Sequence, residues 1–111
     1  MAREFAKKLS EIATNSKPDA PLGVCIKVDG SIDVVSADDA EMRALIGEYP
    51  QYVPCTQDSL GQLQAGIWCD EYGVQNKKPF NATAVDLLGS QVFGGRLLGT
   101  VIVTLPDPSE D

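Results

Sequence analysis

Apolar residues recur with helical spacing at the start of the chain. These residues are Phe5, Leu9, Ile12 and Ala13, which follow one another at steps of four, three and one positions. This spacing places all four side chains on one face of a helix. Charged residues occupy the opposite face, and Pro18 stops the pattern. The pattern predicts an amphipathic helix from Ala2 to Ala13 within an N-terminal segment, residues 1–17. We expect its apolar stripe to pack on the rest of the chain; the alternative is an arm that docks on a partner or joins two copies in a homo-oligomer.

Two apolar runs, Gly23–Val28 and Ser31–Val35, flank Asp29-Gly30. An Asp-Gly pair between strand-like runs is the strongest short signal for a β-hairpin. The pattern therefore predicts two antiparallel strands joined by a two-residue turn.

A helix is predicted after this hairpin, from Ala37 to Ile46. Ser36 is placed to cap its first turn, with Asp39 three residues later as an acidic variant of the capping box. Gly47 ends the pattern. The residues expected to face the core are Met42, Leu45 and Ile46.

The second half of the chain predicts three more strands. Tyr49–Val53 alternates aromatic and polar residues, and Pro50 limits it to a sheet edge or to the first position of a strand. Ala65–Cys69 is a short strand that turns at residues 70–73. Leu97–Leu105 is almost continuously apolar, which is typical of a central strand covered on both faces.

The connections between these runs have weaker patterns. Thr56–Gln64 has no clear period and is interpreted as a loop. Asn81 can cap a short helix, Ala82–Leu88, which Gly89 ends. A turn is expected at Phe93-Gly-Gly95, and residues 106–111 form a polar, acidic tail.

This order of elements predicts an α+β fold, in which one or two helices pack on a small, mostly antiparallel sheet and an amphipathic helix precedes them. Residues 22–105 are expected to form a single α+β domain.

Composition excludes several classes of protein. Apolar residues make up 43% of the chain and charged residues 23%, close to the averages for globular domains. The apolar runs are far shorter than the roughly 20 residues that cross a bilayer, and the first residues lack the apolar core of a secretory signal. We therefore expect a cytoplasmic protein with no membrane association.

Cysteine and histidine content argues against metal and nucleophile chemistry. The chain has no histidine, and Cys25, Cys55 and Cys69 are widely spaced. This spacing fits neither a disulfide framework nor a zinc site, and no histidine is present to activate a thiol. We expect buried structural thiols, no metal and no cofactor.

The net charge of −7 is unevenly distributed. Residues 1–17 carry four bases and two acids, whereas the remaining 94 residues carry five bases and fourteen acids. Direct binding of nucleic acid by such an acidic body is disfavoured, because affinity for phosphates comes from clustered Lys and Arg. An acidic decoy that mimics nucleic acid and occupies a basic host protein is an alternative.

Short motifs in the second half resemble DUF3846, a family of small uncharacterised proteins. They are Cys69-Asp-Glu-Tyr-Gly73, Pro79-x-Asn81-x-x-Ala84 and Leu98-Gly-Thr-Val-Ile-Val103, together with Leu45-Ile-Gly47 followed by Tyr49. The resemblance covers about Val24 to Val103 and implies an origin in phages, plasmids or conjugative elements, with no established activity. This chain departs from the family pattern at Asp70, Val74, Ala82 and Gly95-Arg96.

The candidate binding residues lie at predicted strand ends and in the loop between them, where side chains are both exposed and firmly held. They are Trp68, Asp70, Glu71, Tyr72, Pro79 and Asn81. Asp70 and Glu71 are also of the residue types that act as general acid and base, but adjacent residues at a strand end point apart. The sequence therefore favours a non-enzymatic accessory protein of a phage or mobile element that binds a host protein or a small ligand, over the acidic decoy and over a small enzyme.

Overall fold

The computed structural model describes residues 2–55, 65–88 and 97–105. The loop expected at Thr56–Gln64, the end of the last helix at Gly89, the turn at Phe93-Gly-Gly95 and the tail 106–111 lie outside these residues. Within them the elements are α1 (Ala2–Asn15), β1 (Leu22–Ile26), β2 (Ile32–Ser36), α2 (Asp39–Leu45), β3 (Pro50–Cys55), β4 (Ala65–Asp70), α3 (Ala82–Leu88) and β5 (Val101–Thr104).

The strands of this part of the chain form one five-stranded antiparallel sheet in the order β2-β1-β5-β4-β3. The α+β fold predicted from the sequence is therefore confirmed. β5 is the central strand, as its apolar sequence predicted, and its first three side chains are fully buried. β3 lies at one edge and begins at Pro50, which also agrees with the prediction.

The last strand is shorter than predicted. It begins at Val101 instead of Leu97, because the backbone at Gly99 has φ +73°, a conformation that a strand cannot contain. The N–H of Gly99 donates a 2.7 Å hydrogen bond to the carbonyl of Pro79, which holds this kink against the loop that precedes α3.

Helices cover both faces of the sheet. α1 and α3 pack on one face, called here the α1/α3 face, which carries Val24, Ile26, Ile67, Val101 and Val103. α2 packs on the other, the α2 face, which carries Cys25, Ile102 and the partly buried Trp68. None of the helices in the described ranges is long and apolar enough to cross a membrane.

α1 packs on its own chain, the first of the two alternatives for the N-terminal segment. Its buried side chains Phe5, Leu9 and Ile12 are those of the predicted stripe. Burying a large apolar side chain stabilises a fold by roughly 1.5–3 kcal/mol. The predicted stripe is therefore the face that α1 buries against the sheet.

The hairpin between β1 and β2 forms as predicted, but its loop has three residues, Val28–Gly30. Lys27 N–H bonds Ser31 O, and Gly30 N–H bonds Lys27 O, both at 3.0 Å. Gly30 has φ +95°. This is the three-residue loop in which a glycine with positive φ follows a β-turn, so the two-residue Asp29-Gly30 turn is wrong by one position.

The predicted N-cap of α2 is also wrong. β2 continues through Ser36, which pairs with Leu22, so the helix begins later. Asp38 is the cap, and its carboxylate accepts the Glu41 N–H at 2.8 Å. Ser36 supports the cap by donating its hydroxyl to Asp38 at 2.9 Å.

Candidate functional site

A buried carboxylate organises the turn that follows β4. The Asp70 side chain is only 3% exposed. One of its oxygens accepts the Tyr72 N–H at 2.9 Å and the other accepts the Asn76 side-chain amide at 3.1 Å. The turn is closed further by backbone hydrogen bonds from Gly73 to Asp70 and from Lys78 to Gly73. Asp70 therefore fixes the shape of residues 70–78 from inside.

The same carboxylate joins this turn to the end of α2. Lys78 Nζ lies 4.0 Å from Asp70 Oδ2 and 3.5 Å from the carbonyl oxygen of Ile46. Gly47 passes so close that a Cβ added there would lie 3.1 Å from Asp70 Oδ2. The turn thus rests on two elements of the core, β4 and α2.

A cleft of about 190 Å³ lies beside this turn, at the end of β4. It is lined by Gln51, Cys69, Asp70, Glu71, Gly73, Val74 and Leu98. Burial, with the neighbouring charge of Asp70 as a smaller contribution, raises the pKa of the Cys69 thiol to about 11. The thiol is therefore neutral at physiological pH and forms, with Val74 and Leu98, the apolar part of the wall.

Exposed apolar and aromatic side chains stand near this cleft. The rings of Tyr49 and Tyr72 meet edge to face, with centroids 5.4 Å apart and planes at 84°. Tyr49 is 53% exposed, Tyr72 41% and Val74 70%. We call the set formed by the cleft residues, Tyr49 and Tyr72 the cleft surface. Exposed aromatic residues around a well-formed hollow are typical of protein interfaces.

Trp68 does not belong to this surface. It precedes Cys69 on β4, and adjacent residues of a strand point to opposite faces, so Trp68 lies on the α2 face. Its indole N–H donates to Thr104 at 3.1 Å, and its ring contacts Tyr52 across the β3–β4 pair. The structure therefore separates Trp68 from the other candidates.

Asn81 is placed in the interior, not on an exposed face as the candidate site assumed. The residue is 0% exposed. Its oxygen accepts the Ala84 N–H at 3.0 Å, which confirms the predicted cap of α3. Its nitrogen donates to the carbonyls of Ile26 and Gly99, so both amide hydrogens are used. Asn81 supports the loop, and in this conformation it presents no polar group to a ligand.

Of the remaining candidates, some lie on the cleft surface and others hold the loops beside it in place. Glu71 is exposed and lines the cleft. Tyr72 is exposed in the turn beside it, whereas Asp70 lines the cleft with oxygens that the protein itself occupies. Pro79 is exposed, and its carbonyl holds Gly99.

The residues of the cleft surface that were not among the candidates from the sequence are Tyr49, Gln51, Cys69, Gly73, Val74 and Leu98. The exposed Val74 in an otherwise polar turn was the one available signal, because a β-branched apolar residue is unusual in a turn. Leu98 belongs to the run predicted to be a strand covered on both faces, but it is partly exposed at the cleft, because the strand begins only at Val101.

A second, wider hollow lies along the outer face of α1, with a volume of about 410 Å³. It is lined by Arg3, Glu4, Lys7 and Lys8, all residues of one helix surface, and so lacks opposing walls. In the part of the chain that the structure describes, no group of three or more His, Cys, Asp or Glu side chains is arranged to hold a metal ion.

Comparison of the chain with models of protein families, with curated proteins and with solved structures found no match.

Proposed function

We propose that this protein is a non-enzymatic accessory protein that acts by binding another protein through the cleft surface. The observation that carries the proposal is the cleft beside the turn of residues 70–78, with apolar walls, an exposed acid at Glu71 and the exposed tyrosine pair close by. Its shape is held by Asp70, whose bonds lie within the protein. A surface that needs no rearrangement binds at lower entropic cost.

The size of the cleft favours a protein partner over a small ligand. Pockets that hold small molecules or cofactors usually have volumes of roughly 300–1,000 Å³. This cleft has about 190 Å³, enough for one side chain of a partner. A single buried anchor with aromatic residues around it is the usual arrangement of an interface hot spot.

The enzyme alternative is less well supported. Asp70 would have to act as acid or base with both oxygens already engaged by the turn. A candidate base must lie within hydrogen-bond reach of a substrate proton, and the Asp70 side chain is only 3% exposed.

The biological setting follows from the DUF3846-like motifs and rests on them alone. On this basis the protein is encoded by a phage or another mobile element and acts on a host protein in the cytoplasm of the host cell.

One observation favours the acidic decoy as a second candidate. Burial raises the pKa of Cys25, Lys27 lowers it, and Asp33, Asp29 and Glu41 raise it further, so three acids and one base lie around this region of the hairpin and α2. Such a decoy would use the α2 side of the molecule, and its binding would weaken steeply with salt.

Affinity capture with matched variants tests the proposal. Val74→Lys introduces a charge at the cleft, and Val28→Lys is its control, since Val28 is an exposed valine in the β1–β2 loop. Each protein is used as bait in a bacterial host lysate, at low salt and at about 1 M salt, where charges are screened within about 3 Å.

We expect a partner that wild type and Val28→Lys capture and Val74→Lys loses, with capture only partly reduced at high salt. If Val74→Lys captures the same proteins as wild type, the proposal is overturned. If that capture is also abolished at high salt, the decoy gains support instead.

A further inference from the structure

We infer that the partner segment bound at the cleft presents a leucine- or phenylalanine-sized side chain next to an arginine. This inference rests on the proposed function and adds the chemistry of the partner to it. Four observations support it. They are the volume of the cleft, the negative charge of the side chains that line it, the nearby tyrosine rings, and the prolines of β3, which prevent a partner strand from pairing with that edge of the sheet.

The volume sets the size of the anchor. An apolar cavity of about 150 Å³ holds benzene, so a cleft of about 190 Å³ accommodates one aromatic ring or one branched aliphatic side chain. Leu98, Val74 and the neutral Cys69 thiol supply an apolar wall for it. A charged group placed against this apolar wall would lose hydration that the wall cannot replace, so the side chain that contacts it is apolar.

The charge lining the cleft selects the neighbour of the anchor. Of the described residues that line it, the ionisable carboxyls are Asp70 and Glu71, and no base lines it. Asp70 is occupied by Tyr72 and Asn76 and has Lys78 nearby, which leaves Glu71 free to pair with a cation. A guanidinium fits a carboxylate in a bidentate manner and also stacks on aromatic rings, which Tyr49 and Tyr72 present nearby. Arginine therefore satisfies this surface better than lysine does.

Prolines make the adjacent sheet edge unsuitable for strand addition. The Glu71 N–H bonds the Tyr49 carbonyl at 3.0 Å, so odd-numbered residues of β3 direct their backbone groups towards β4. Even-numbered residues direct theirs outwards, and two of these three positions are Pro50 and Pro54, which have no N–H. A partner is therefore recognised here through its side chains and not as a sixth strand.

Binding of short blocked peptides, followed by amide chemical shifts of the full chain, tests the inference. The probes are N-acetyl-Phe-Arg-amide, N-acetyl-Phe-Glu-amide and N-acetyl-Gly-Arg-amide at up to about 10 mM, the range in which weak affinities are measurable. We expect Phe-Arg to shift the amides of Gln51, Gly73 and Val74. We expect Phe-Glu to bind about tenfold more weakly, as one paired charge and one cation–π contact predict, and Gly-Arg not to bind.

Two variants assign the effect to the cleft. Glu71→Gln should bring the affinities for Phe-Arg and Phe-Glu closer together, and Val74→Lys should abolish the shifts, whereas Val28→Lys should change neither. Equal binding of Phe-Arg and Phe-Glu to wild type overturns the arginine part of the inference. No binding of any probe, or shifts centred away from the cleft, overturns the whole inference. The proposed function itself is decided separately by the capture experiment, because a folded partner can bind through several contacts that a dipeptide lacks.

Discussion

The side-chain amide of Asn81 donates a 2.8 Å hydrogen bond to the backbone carbonyl of Gly99. It donates a second to Ile26 at the end of β1, while its oxygen caps α3 at Ala84. One buried side chain thus joins β1, an inner strand of the sheet, to the kink before the central strand and to the first turn of a helix. The consequence is that Asn81 cannot be replaced as an ordinary helix cap can.

Asn81→Asp should destabilise the protein by about 3 kcal/mol or more, since it replaces the nitrogen that donates to two buried carbonyls by an oxygen that cannot donate. At an exposed cap this exchange is nearly neutral. Asn81→Ala should also cost more than the roughly 1 kcal/mol of a lost cap, because the carbonyls of Ile26 and Gly99 lose a partner. Urea denaturation measures both.

Asp86→Asn is the matched control, because it makes the reverse exchange at an exposed position of the same helix. It should change stability by no more than about 0.5 kcal/mol. An Asn81→Asp protein as stable as wild type would show that the network around Asn81 contributes nothing.

Local pattern was sufficient to predict most of the fold. The stripe of α1, the β1–β2 hairpin and the central apolar strand depend on spacing between neighbours in sequence, and each appears in the structure. The errors occur where two nearby residues can each play the same structural role. Ser36 and Asp38 are both good caps, and the pairing of Ser36 with Leu22 in the sheet decided between them.

The candidate site was predicted less completely, because its geometry depends on contacts between distant residues. Asp70 reaches Asn76, Lys78 and the neighbourhood of Gly47, which no local pattern reveals. Asn81 has the sequence signature of a cap, and its bonds to Ile26 and Gly99 span 55 and 18 residues. Composition cannot distinguish a polar residue that is exposed for recognition from one that is buried and fully bonded.

Leu97 and Leu98 should respond differently to truncation although they are neighbours. Leu97 is fully buried in the core, so Leu97→Ala should cost about 2–5 kcal/mol. Leu98 is partly exposed at the cleft, so Leu98→Ala should cost about 1 kcal/mol and weaken partner binding instead. Urea denaturation of the two variants measures both losses of stability. If Leu98→Ala lowers the free energy of unfolding as much as Leu97→Ala does, the cleft is closed in solution.

Removal of α1 should destabilise the domain, because it uncovers the α1/α3 face. The point variant Ile12→Ala should cost about 2–5 kcal/mol, while Lys7→Ala on the exposed side should cost less than about 0.5 kcal/mol. Deletion of residues 1–17 should lower the melting temperature, and size-exclusion chromatography should show association of the exposed apolar surface. A truncated protein that melts and elutes like the full chain would contradict the packing of α1.

The Cys69 thiol should make stability depend on pH in the alkaline range. Its pKa is raised from 9.0 to about 11 in the folded protein, first by burial and then by the charge of Asp70. Between these values the unfolded chain has lost the proton and the folded chain retains it, so the unfolded state binds fewer protons and stability falls as pH rises. Each unit of pKa difference corresponds to about 1.4 kcal/mol, so the loss over the whole range is on the order of 3 kcal/mol.

Comparison of wild type with Cys69→Ala isolates this contribution. Cys25, whose pKa burial also raises, is present in both proteins, so its effect cancels in the difference. The free-energy difference between the two proteins, measured by urea denaturation from pH 7 to about pH 10, should be constant below the unfolded thiol pKa and should shrink above it. A difference that stays constant to about pH 10 would show that solvent reaches the thiol and that Cys69 does not form a dry wall of the cleft. The anchor proposed for the cleft would then meet a wetter and more polar site than the structure describes, and aromatic probes should bind no better than polar ones.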